Sequence, residues 1–498
     1  MYYKMVPKVR EIIDREENQA GSEVSETGKQ TGGQTERVNS LLEEEEYRLR
    51  ITADDILLEG GSEQGLRYAR QTLRQIRGQM GDQGGAKALP GAGMLELSDA
   101  PAYPYRSFHI DCARHFVPVE ELKKMIRTAA CFKFNRFHWH FSDDQGWRIE
   151  SRAFPRLHEI GSVRKGDHFG NYCSEEPEAA FYTIEEVRDL VSYCEELGIE
   201  IVPEIDMPGH VTAILAAYPQ LSCWGEAVEV ADRAGIFYDI LCPGKEETFS
   251  FLERLLEELI DLFPGRYFHI GGDEAPKEHW KTCPHCQKRI REQGLESVQE
   301  LQGYLMNRIA AYLKDRGRRA IAWNEAANGG NLDPDIILQV WTEDKAGQVR
   351  PHTERGGQVI VSPIMHSYCD YPYGFITLQS VYEIPLAAQE YPQEAVLGGE
   401  CLLWTEYIRT GERLEELAWP RFAATAEALW CGARRGGYEA FAERLRGVIF
   451  LFKENGIRAT PESGWIPSEE EKLRQFAAFK QNFMPEVIAD FRKAQEDV

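Results

Sequence analysis

From Arg106 onwards, short apolar segments alternate with longer amphipathic segments, and this alternation limits the folds open to the chain. Eight apolar segments have the length of buried strands: 107–111, 135–141, 199–204, 267–272, 320–324, 336–341, 358–363 and 395–404. Helical periodicity over 119–131, 183–197 and 248–262 lies between the early ones. Eight strand–helix units in roughly 330 residues predict an α/β fold, a closed (β/α)8 TIM barrel with long loops. A doubly wound sheet is the alternative, but no glycine-rich phosphate turn follows any strand.

The residues before the barrel predict a small α+β domain. Residues 47–58 alternate like a strand, and Ser62 is placed to cap a helix whose apolar positions recur at helical spacing. Polar, glycine-rich stretches at 20–40 and 78–93 are predicted to be surface loops. We therefore expect a small α+β domain at 1–100, the barrel as the catalytic domain at 101–435, and a C-terminal helical extension at 436–498 packed on the barrel.

The charge of the chain restricts its partners. Asp and Glu number 81 against 57 Lys and Arg, a net charge of −24, which disfavours binding to nucleic acids and anionic membrane surfaces but not to neutral sugars. Residues 1–18 contain no long apolar run, and no segment is long enough to span a membrane. Eleven cysteines scattered among core-like strands suit a reducing compartment, so a cytoplasmic location is expected. The oligomeric state cannot be predicted.

Acidic, basic and aromatic residues follow the predicted strands, whose carboxyl ends form the active-site face of a barrel. Sugars stack their apolar faces on indole rings and bind carboxylates and guanidinium groups through their hydroxyls. Glycosidic cleavage needs a proton donor for the leaving oxygen and a group that stabilises positive charge at the anomeric carbon. Asp273 and Glu274 are the best candidates, because Gly271 and Gly272 before them permit the bend that brings two neighbours to one side.

Seven segments between residues 100 and 430 together resemble one known family. They are DCARHF, FHWHFSDDQGWRIES, PEIDMPGH, HIGGDE, the VW at 340–341, SYCD and LLWTEY, and they occur in the family's order. The chain resembles family 20 of the glycoside hydrolases, the β-N-acetylhexosaminidases. The first hundred residues resemble, more weakly, the small α+β domain that precedes the barrel in that family.

The resemblance implies a role for each matching residue. Glu274 matches the general acid/base, Asp273 the carboxylate that orients the 2-acetamido group, and Tyr368 the hydroxyl that binds the acetamido carbonyl oxygen. The residues that surround the acetamido methyl are Trp323, Trp341 and Trp404. Those that hold the sugar hydroxyls, or support the groups that do, are Arg114, Asp143, Asp370 and Glu406. His210 with a supporting Asp206 matches the pair that orients the acid/base.

The same resemblance implies an exo-acting, retaining enzyme that hydrolyses terminal non-reducing β-linked GlcNAc or GalNAc through an oxazolinium intermediate, without cofactor or metal. The partner is then a carbohydrate with a terminal N-acetylhexosamine; the choice between GlcNAc and GalNAc and the natural aglycone stay open. A metal-dependent barrel hydrolase is an alternative because His138 and His140 share one strand face. A non-catalytic sugar-binding protein is another.

Two further groups of residues are expected to be structural. Cys283 and Cys286 are predicted to be a thiol pair rather than a redox or zinc site, since no second cysteine pair stands at finger spacing. Glu204 and Glu400, inside predicted strands, are expected to be buried acids paired with arginines.

Overall fold

The computed structural model describes residues 4–15, 29–31, 33–52, 54–79, 94–342, 344–345, 347–387 and 391–481. Most of the loop predicted at 78–93, and residues 20–28 of the loop predicted at 20–40, lie outside the described residues.

The N-terminal unit is a six-stranded sheet with one long helix, Glu63–Gln79. In spatial order its strands are Glu11–Arg15, Met94–Asp99, Tyr47–Ile51, Ile56–Gly60, Gln34–Val38 and Lys29–Thr31. Ser62 caps the helix as predicted, because its Oγ accepts a hydrogen bond from the backbone amide of Gln64 at 3.0 Å.

Two predictions for this unit were wrong. The segment 47–58 is not one strand but two antiparallel strands joined by a hairpin, because the chain turns between Ile51 and Ile56. The segment 20–40 is not a loop throughout, since Lys29–Thr31 and Gln34–Val38 pair with each other at the sheet edge. Lys29–Thr31 is the outer strand, and Gln34–Val38 also pairs with Ile56–Gly60.

Eight parallel strands close the predicted barrel. They are β1 Tyr105–Asp111, β2 Arg136–His140, β3 Glu200–Glu204, β4 Tyr267–His269, β5 Arg319–Trp323, β6 Ile337–Val340, β7 Val359–Val361 and β8 Val396–Cys401. Each strand pairs with the next, and β8 pairs with β1. The strands are buried on both faces, which explains why they appear in the sequence as continuous apolar runs.

Helices surround the barrel, and the three predicted between early strands are confirmed as Val119–Cys131, Ile184–Leu197 and Glu246–Leu262. Thr183 and Glu186 form a capping box at the start of the second, and Gly198 ends it with a φ of 72°. The other helices are Arg156–Glu159, Thr212–Ala217, Glu278–Thr282, Pro284–Gln293, Val298–Lys314, Val349–Glu354, Ile364–Ser367, Leu378–Tyr382, Gly411–Ala418 and Arg421–Cys431.

Shorter elements lie in the connections. Two-residue strands pair as Ser142–Asp143 with Gly146–Trp147 and as Val163–Arg164 with Glu178–Ala179. Single 3-10 turns occur at Pro219–Leu221, Asn324–Ala327, Gln393–Ala395, Gly432–Arg434 and Glu462–Gly464. The predicted C-terminal helices are Tyr438–Val448, Phe450–Glu454 and a third at 469–481.

Buried contacts join the three parts. Lys133 of the barrel reaches Tyr47 of the N-terminal sheet, with its Nζ 2.8 Å from the tyrosine hydroxyl, and lies over the ring of Trp430. Phe452 of a C-terminal helix stacks on Phe132. Among the described residues, no helix combines the length and apolarity that crossing a membrane requires.

Candidate active site

A cavity of about 200 Å³ lies where the loops after the barrel strands meet. All predicted site residues except Trp323 line it: Arg114, Asp143, Asp206, His210, Asp273, Glu274, Trp341, Tyr368, Asp370, Trp404 and Glu406. Residues from seven different strand ends therefore converge on one pocket. This is the position in which barrel enzymes place their chemistry.

The turn after β4 brings two consecutive acids into this cavity. Gly271 and Gly272 have φ angles of 65° and 114°, and Glu274 has a φ of 42°. A Cβ atom on Gly271 would lie 1.6 Å from Oδ1 of Asp206, so only glycine fits there. The left-handed backbone at Glu274 costs free energy, and such conformations cluster at functional sites. The side chain of Glu274 is 30% exposed, whereas that of Asp273 is 12% exposed.

Asp273 faces the carboxyl group of Asp206. Burial, followed by the neighbouring charge of Asp206, raises the pKa of Asp273 well above the usual carboxyl range. Burial likewise raises the pKa of Asp206, which accepts a hydrogen bond from the amide of Gly272 at 3.1 Å. Two adjacent buried carboxyls cannot easily both ionise, so the pair retains a proton that a solvated pair would lose.

His210 is held by acids other than the predicted one. Its Nδ1 lies 3.1 Å from Oδ1 of Asp143 and 3.3 Å from Oδ2 of Asp144, and its Nε2 lies 3.5 Å from Oε2 of Glu274. The predicted pairing of His210 with Asp206 is therefore wrong, because Asp206 is engaged with Asp273. Burial alone would lower the pKa of His210, but the charge of Asp143 raises it well above its usual value.

Below the cavity, buried histidines alternate with buried acids. His138 places Nδ1 2.9 Å from Glu400 and Nε2 3.1 Å from Glu204. His140 contacts Glu204 through Nδ1, and its Nε2 lies 2.8 Å from Asp143. Burial opposes protonation of both rings, yet the charges of Glu400 and Glu204 raise the pKa of His138 to about 9, and Glu204 raises that of His140 to about 10.

This network changes two expectations. Glu204 and Glu400 are paired with histidines, not with arginines, because β2 places the imidazoles of His138 and His140 beside them. Both nitrogens of His138 already face carboxylates, so the ring is a counter-ion to the acids. The geometry of the cavity thus favours the carboxylate-based reading over a hydrolytic metal held by the two β2 histidines.

Aromatic side chains form one wall of the cavity. The ring centroids of Trp341 and Tyr368 are 6.0 Å apart, and those of Tyr368 and Trp404 are 6.3 Å apart. Trp323 is different: it is 1% exposed, donates its indole N–H to Glu204 at 2.9 Å, and packs 6.0 Å from Trp404. Trp323 thus lies directly behind the wall in this structure, and its contact with the acetamido methyl stays a prediction.

Charged groups lie beside the aromatic wall. Nη2 of Arg114 lies 2.7 Å from Oδ2 of Asp143, Nη1 lies 4.0 Å from Glu406, and the guanidinium covers the ring of Trp404 at 5.0 Å. Burial, and then the charge of Glu406, raises the pKa of Asp370 well above its usual value. Its Oδ1 has no hydrogen-bond partner among the described residues, so the group is suited to bind a ligand hydroxyl.

One residue of the site was missed by sequence reasoning. Oε2 of Glu325 accepts the indole N–H of Trp341 at 2.7 Å, and the carboxyl group also accepts the backbone amide of Glu274. Burial, with the nearby charge of Asp273, raises the pKa of Glu325 to about 8. Its position two residues after Trp323, just beyond the end of β5, is the sequence feature that could have indicated a place in the site.

Comparison with known proteins places this geometry among enzymes that act on amino sugars. The model of glycosyl hydrolase family 20, catalytic domain, matches residues 103–433, and that of glycosyl hydrolase family 20, domain 2, matches residues 7–93. The chain is 38% identical over 432 residues to a β-hexosaminidase of Porphyromonas gingivalis, a match that includes 84% of this chain. It spans about half of that relative's length, 54%.

Solved structures show the same architecture. A β-N-acetylhexosaminidase crystal structure superposes with a TM-score of 0.82 at 30% identity, covering 94% of this chain and 99% of the other. An exo-β-N-acetylglucosaminidase from Vibrio harveyi, solved in complex with N-acetylglucosamine, gives a TM-score of 0.73 at 28% identity, with coverage of 86% and 69%.

Proposed function

The chain belongs to glycosyl hydrolase family 20, and on that premise we propose that it is an exo-acting, retaining β-N-acetylhexosaminidase. Its substrate would be a carbohydrate with a terminal non-reducing β-linked GlcNAc or GalNAc. The nucleophile would be the substrate's own acetamide, an exception to the scheme of two enzyme carboxylates.

One observation carries the proposal: Asp273 and Glu274 line one cavity together with the aromatic wall of Trp341, Tyr368 and Trp404. A partly exposed acid next to a buried one suits two different tasks, because proton transfer needs access to the leaving group whereas orienting an amide needs a dry, fixed acceptor. The cavity volume of about 200 Å³ is small for a ligand site and suits a single sugar ring, which supports exo action.

In the first step, Glu274 would donate its proton to the glycosidic oxygen while the acetamido carbonyl oxygen attacks the anomeric carbon. Asp273 would accept the acetamido N–H and so hold the carbonyl oxygen towards that carbon, while the hydroxyl of Tyr368 binds the same oxygen. Fixing the acetamide in this way converts a rare conformer into the bound one, an entropic advantage. Positive charge that develops on the ring formed by the acetamide would be stabilised by the Asp273 carboxylate.

In the second step, Glu274 would remove a proton from water, which opens the oxazolinium ring with net retention of configuration. His210 is a positioning residue for this exchange, because its Nε2 lies 3.5 Å from Glu274 and its Nδ1 is anchored to Asp143. Arg114, Asp370 and Glu406 would bind the sugar hydroxyls from their place beside the aromatic wall.

The proposal is tested with an aryl β-N-acetylglucosaminide and the matching aryl β-glucoside. We expect turnover of the acetamido substrate only, with the β-anomer of the sugar formed first in an NMR time course. Glu274→Gln should lower kcat by several orders of magnitude. Glu278→Gln, at the start of the next helix and outside the cavity lining, should leave kcat nearly unchanged.

Three results would contradict the proposal. Equal turnover of the plain glucoside would mean that an enzyme group is the nucleophile. Formation of the α-anomer first would exclude retention. Calorimetric binding of the sugar without hydrolysis of either substrate would favour a sugar-binding protein.

A further inference from the structure

Four cysteines form a buried group beside the active-site loops, defined here as the cysteine cluster: Cys223, Cys242, Cys283 and Cys286. Sequence reasoning predicted only a thiol pair at 283 and 286. The fold adds Cys242 and Cys223, which lie 41 and 63 residues upstream of their partners, a separation too large to be read as a finger motif. Each of the four side chains is at most 6% exposed.

Two chain segments present these thiols. Cys223 and Cys242 follow directly on Ser222 and Leu241, which pair as an antiparallel bridge. Cys283 precedes the helix Pro284–Gln293, and Cys286 lies in its first turn. The two bridged segments that carry Cys223 and Cys242 thus meet the turn that carries Cys283 and Cys286.

The four sulfur atoms all lie within 4.8 Å of one another, which is compatible with the corners of a small tetrahedron. Sγ of Cys242 lies 3.5 Å from Sγ of Cys286 and 3.8 Å from Sγ of Cys283, while Cys223 and Cys286 are 3.8 Å apart. Four thiolates at a zinc–sulfur distance of about 2.3 Å in tetrahedral geometry lie about 3.8 Å from one another. We propose that the cysteine cluster binds one structural zinc ion.

Other features of the cluster agree with a metal site. The backbone amide of Gly244 donates a hydrogen bond to the sulfur of Cys242, and groups that bind metals are commonly held by such hydrogen bonds. A Cβ atom on Gly244 would lie 2.3 Å from the amide nitrogen of Cys286, so only glycine allows this close approach of the two turns. The sulfur of Cys242 lies close to two other sulfurs. One metal ion can bind all three sulfurs, whereas a disulfide joins only two.

The cluster lies where it would hold two loops that line the cavity. Ala275, which directly follows Glu274, packs on the apolar residues around the cysteines. The indole N–H of Trp280 donates to the carbonyl oxygen of Leu241 at 3.0 Å and joins the loop after β4 to the loop after β3. The latter loop also supplies Ile236 to the cavity. Zinc would therefore fix these two loops against each other. The benefit to catalysis rests on the proposed function, whereas zinc binding itself does not depend on it.

The full chain, purified without added metal, should contain one zinc per chain by inductively coupled plasma mass spectrometry. Cys242→Ser and Cys286→Ser should lose this zinc. Cys194→Ser is the matched control, because Cys194 is equally buried but lies on the helix Ile184–Leu197, outside the cluster. Zinc loss should also lower the temperature of thermal unfolding, since an ion bound only by the folded state stabilises it.

A second measurement uses only the wild-type chain and so does not depend on folding of the variants. A mercurial reagent that reacts with the eleven cysteines of the chain should release one zinc. Cobalt(II) in its place should give the thiolate charge-transfer band and strong visible bands of a tetrahedral site. Three results would each overturn the proposal. They are a chain without zinc whose four cluster cysteines are free thiols, a protein mass that indicates disulfides, and iron bound in place of zinc. All these readouts are independent of whether the protein hydrolyses sugars.

Discussion

The surroundings of Glu325 predict how the stability of a Glu325→Gln variant depends on pH. Burial, with the charges of Asp273 and Glu274, raises the pKa of Glu325 from 4.5 to about 8. The folded protein therefore binds this proton more tightly than the unfolded chain. Its contribution to stability is fully present below pH 4.5 and is lost as the pH rises through about 8.

The size of the effect follows from the same change in pKa. Each pKa unit corresponds to 1.36 kcal/mol, so a rise from 4.5 to about 8 corresponds to about 5 kcal/mol. Glutamine cannot ionise, so the variant does not lose this contribution in alkaline solution. Its amide oxygen can still accept the indole N–H of Trp341, which lies 2.7 Å from Glu325 in the wild type. We expect kcat at neutral pH to fall by no more than about tenfold, the loss that one weakened hydrogen bond causes.

The assay is urea unfolding of wild type and variant between about pH 5 and pH 9, the range in which the linkage acts. The unfolding free energy of the variant relative to wild type should rise by several kcal/mol across this range. Glu354→Gln, an exposed change on the barrel periphery, should follow the wild-type curve. If the Glu325→Gln and wild-type curves stay parallel, Glu325 does not hold a proton in the folded state and the reasoning is refuted.

Three further predictions concern the acids and the tyrosine of the site. Asp143→Asn should lower the free energy of unfolding by about 3–5 kcal/mol, because it removes a buried carboxylate that pairs with Arg114, His140 and His210. A loss below about 1 kcal/mol, typical of a surface pair, would contradict this. Asp206→Asn should move the acid limb of the kcat/KM profile to lower pH, because removing the neighbouring charge lowers the pKa of Asp273. An acid limb that stays at the same pH or moves to higher pH would contradict this prediction. Tyr368→Phe should lower kcat about 10²–10³-fold with a smaller change in KM, as loss of one oxyanion donor does; steady-state kinetics that change only KM would exclude the role.

The barrel and its active-site face were predictable because their signals are local. Buried parallel strands appear as apolar runs, and the strand ends must meet at one face, so Arg114, Asp273, Tyr368 and Trp404 could be assigned to one pocket. The N-terminal hairpin was not found, although the polar residues Thr52, Asp54 and Asp55 interrupt the apolar alternation between Ile51 and Ile56.

Pairing inside the site could not be predicted. Sequence order places Asp206 and His210 in one segment, but His210 has a φ of 52° and its side chain meets Asp143 of a different strand end. The contact of Glu325 with Trp341 depends on the relative heights of β5 and β6, which periodicity does not give. The cysteine cluster escaped notice for a similar reason, since its members come together only when the loops after β3 and β4 pack.

The central claim, that the substrate's acetamide is the nucleophile, is tested most directly by changing that group. Aryl glucosaminides whose N-acetyl methyl carries zero to three fluorine atoms differ mainly in the nucleophilicity of the carbonyl oxygen. We predict that kcat/KM falls steeply with each fluorine, and that Asp273→Asn reduces the value for every member of the series. A rate that does not depend on fluorination would contradict the account, because it would mean that the acetamide takes no part in displacing the leaving group.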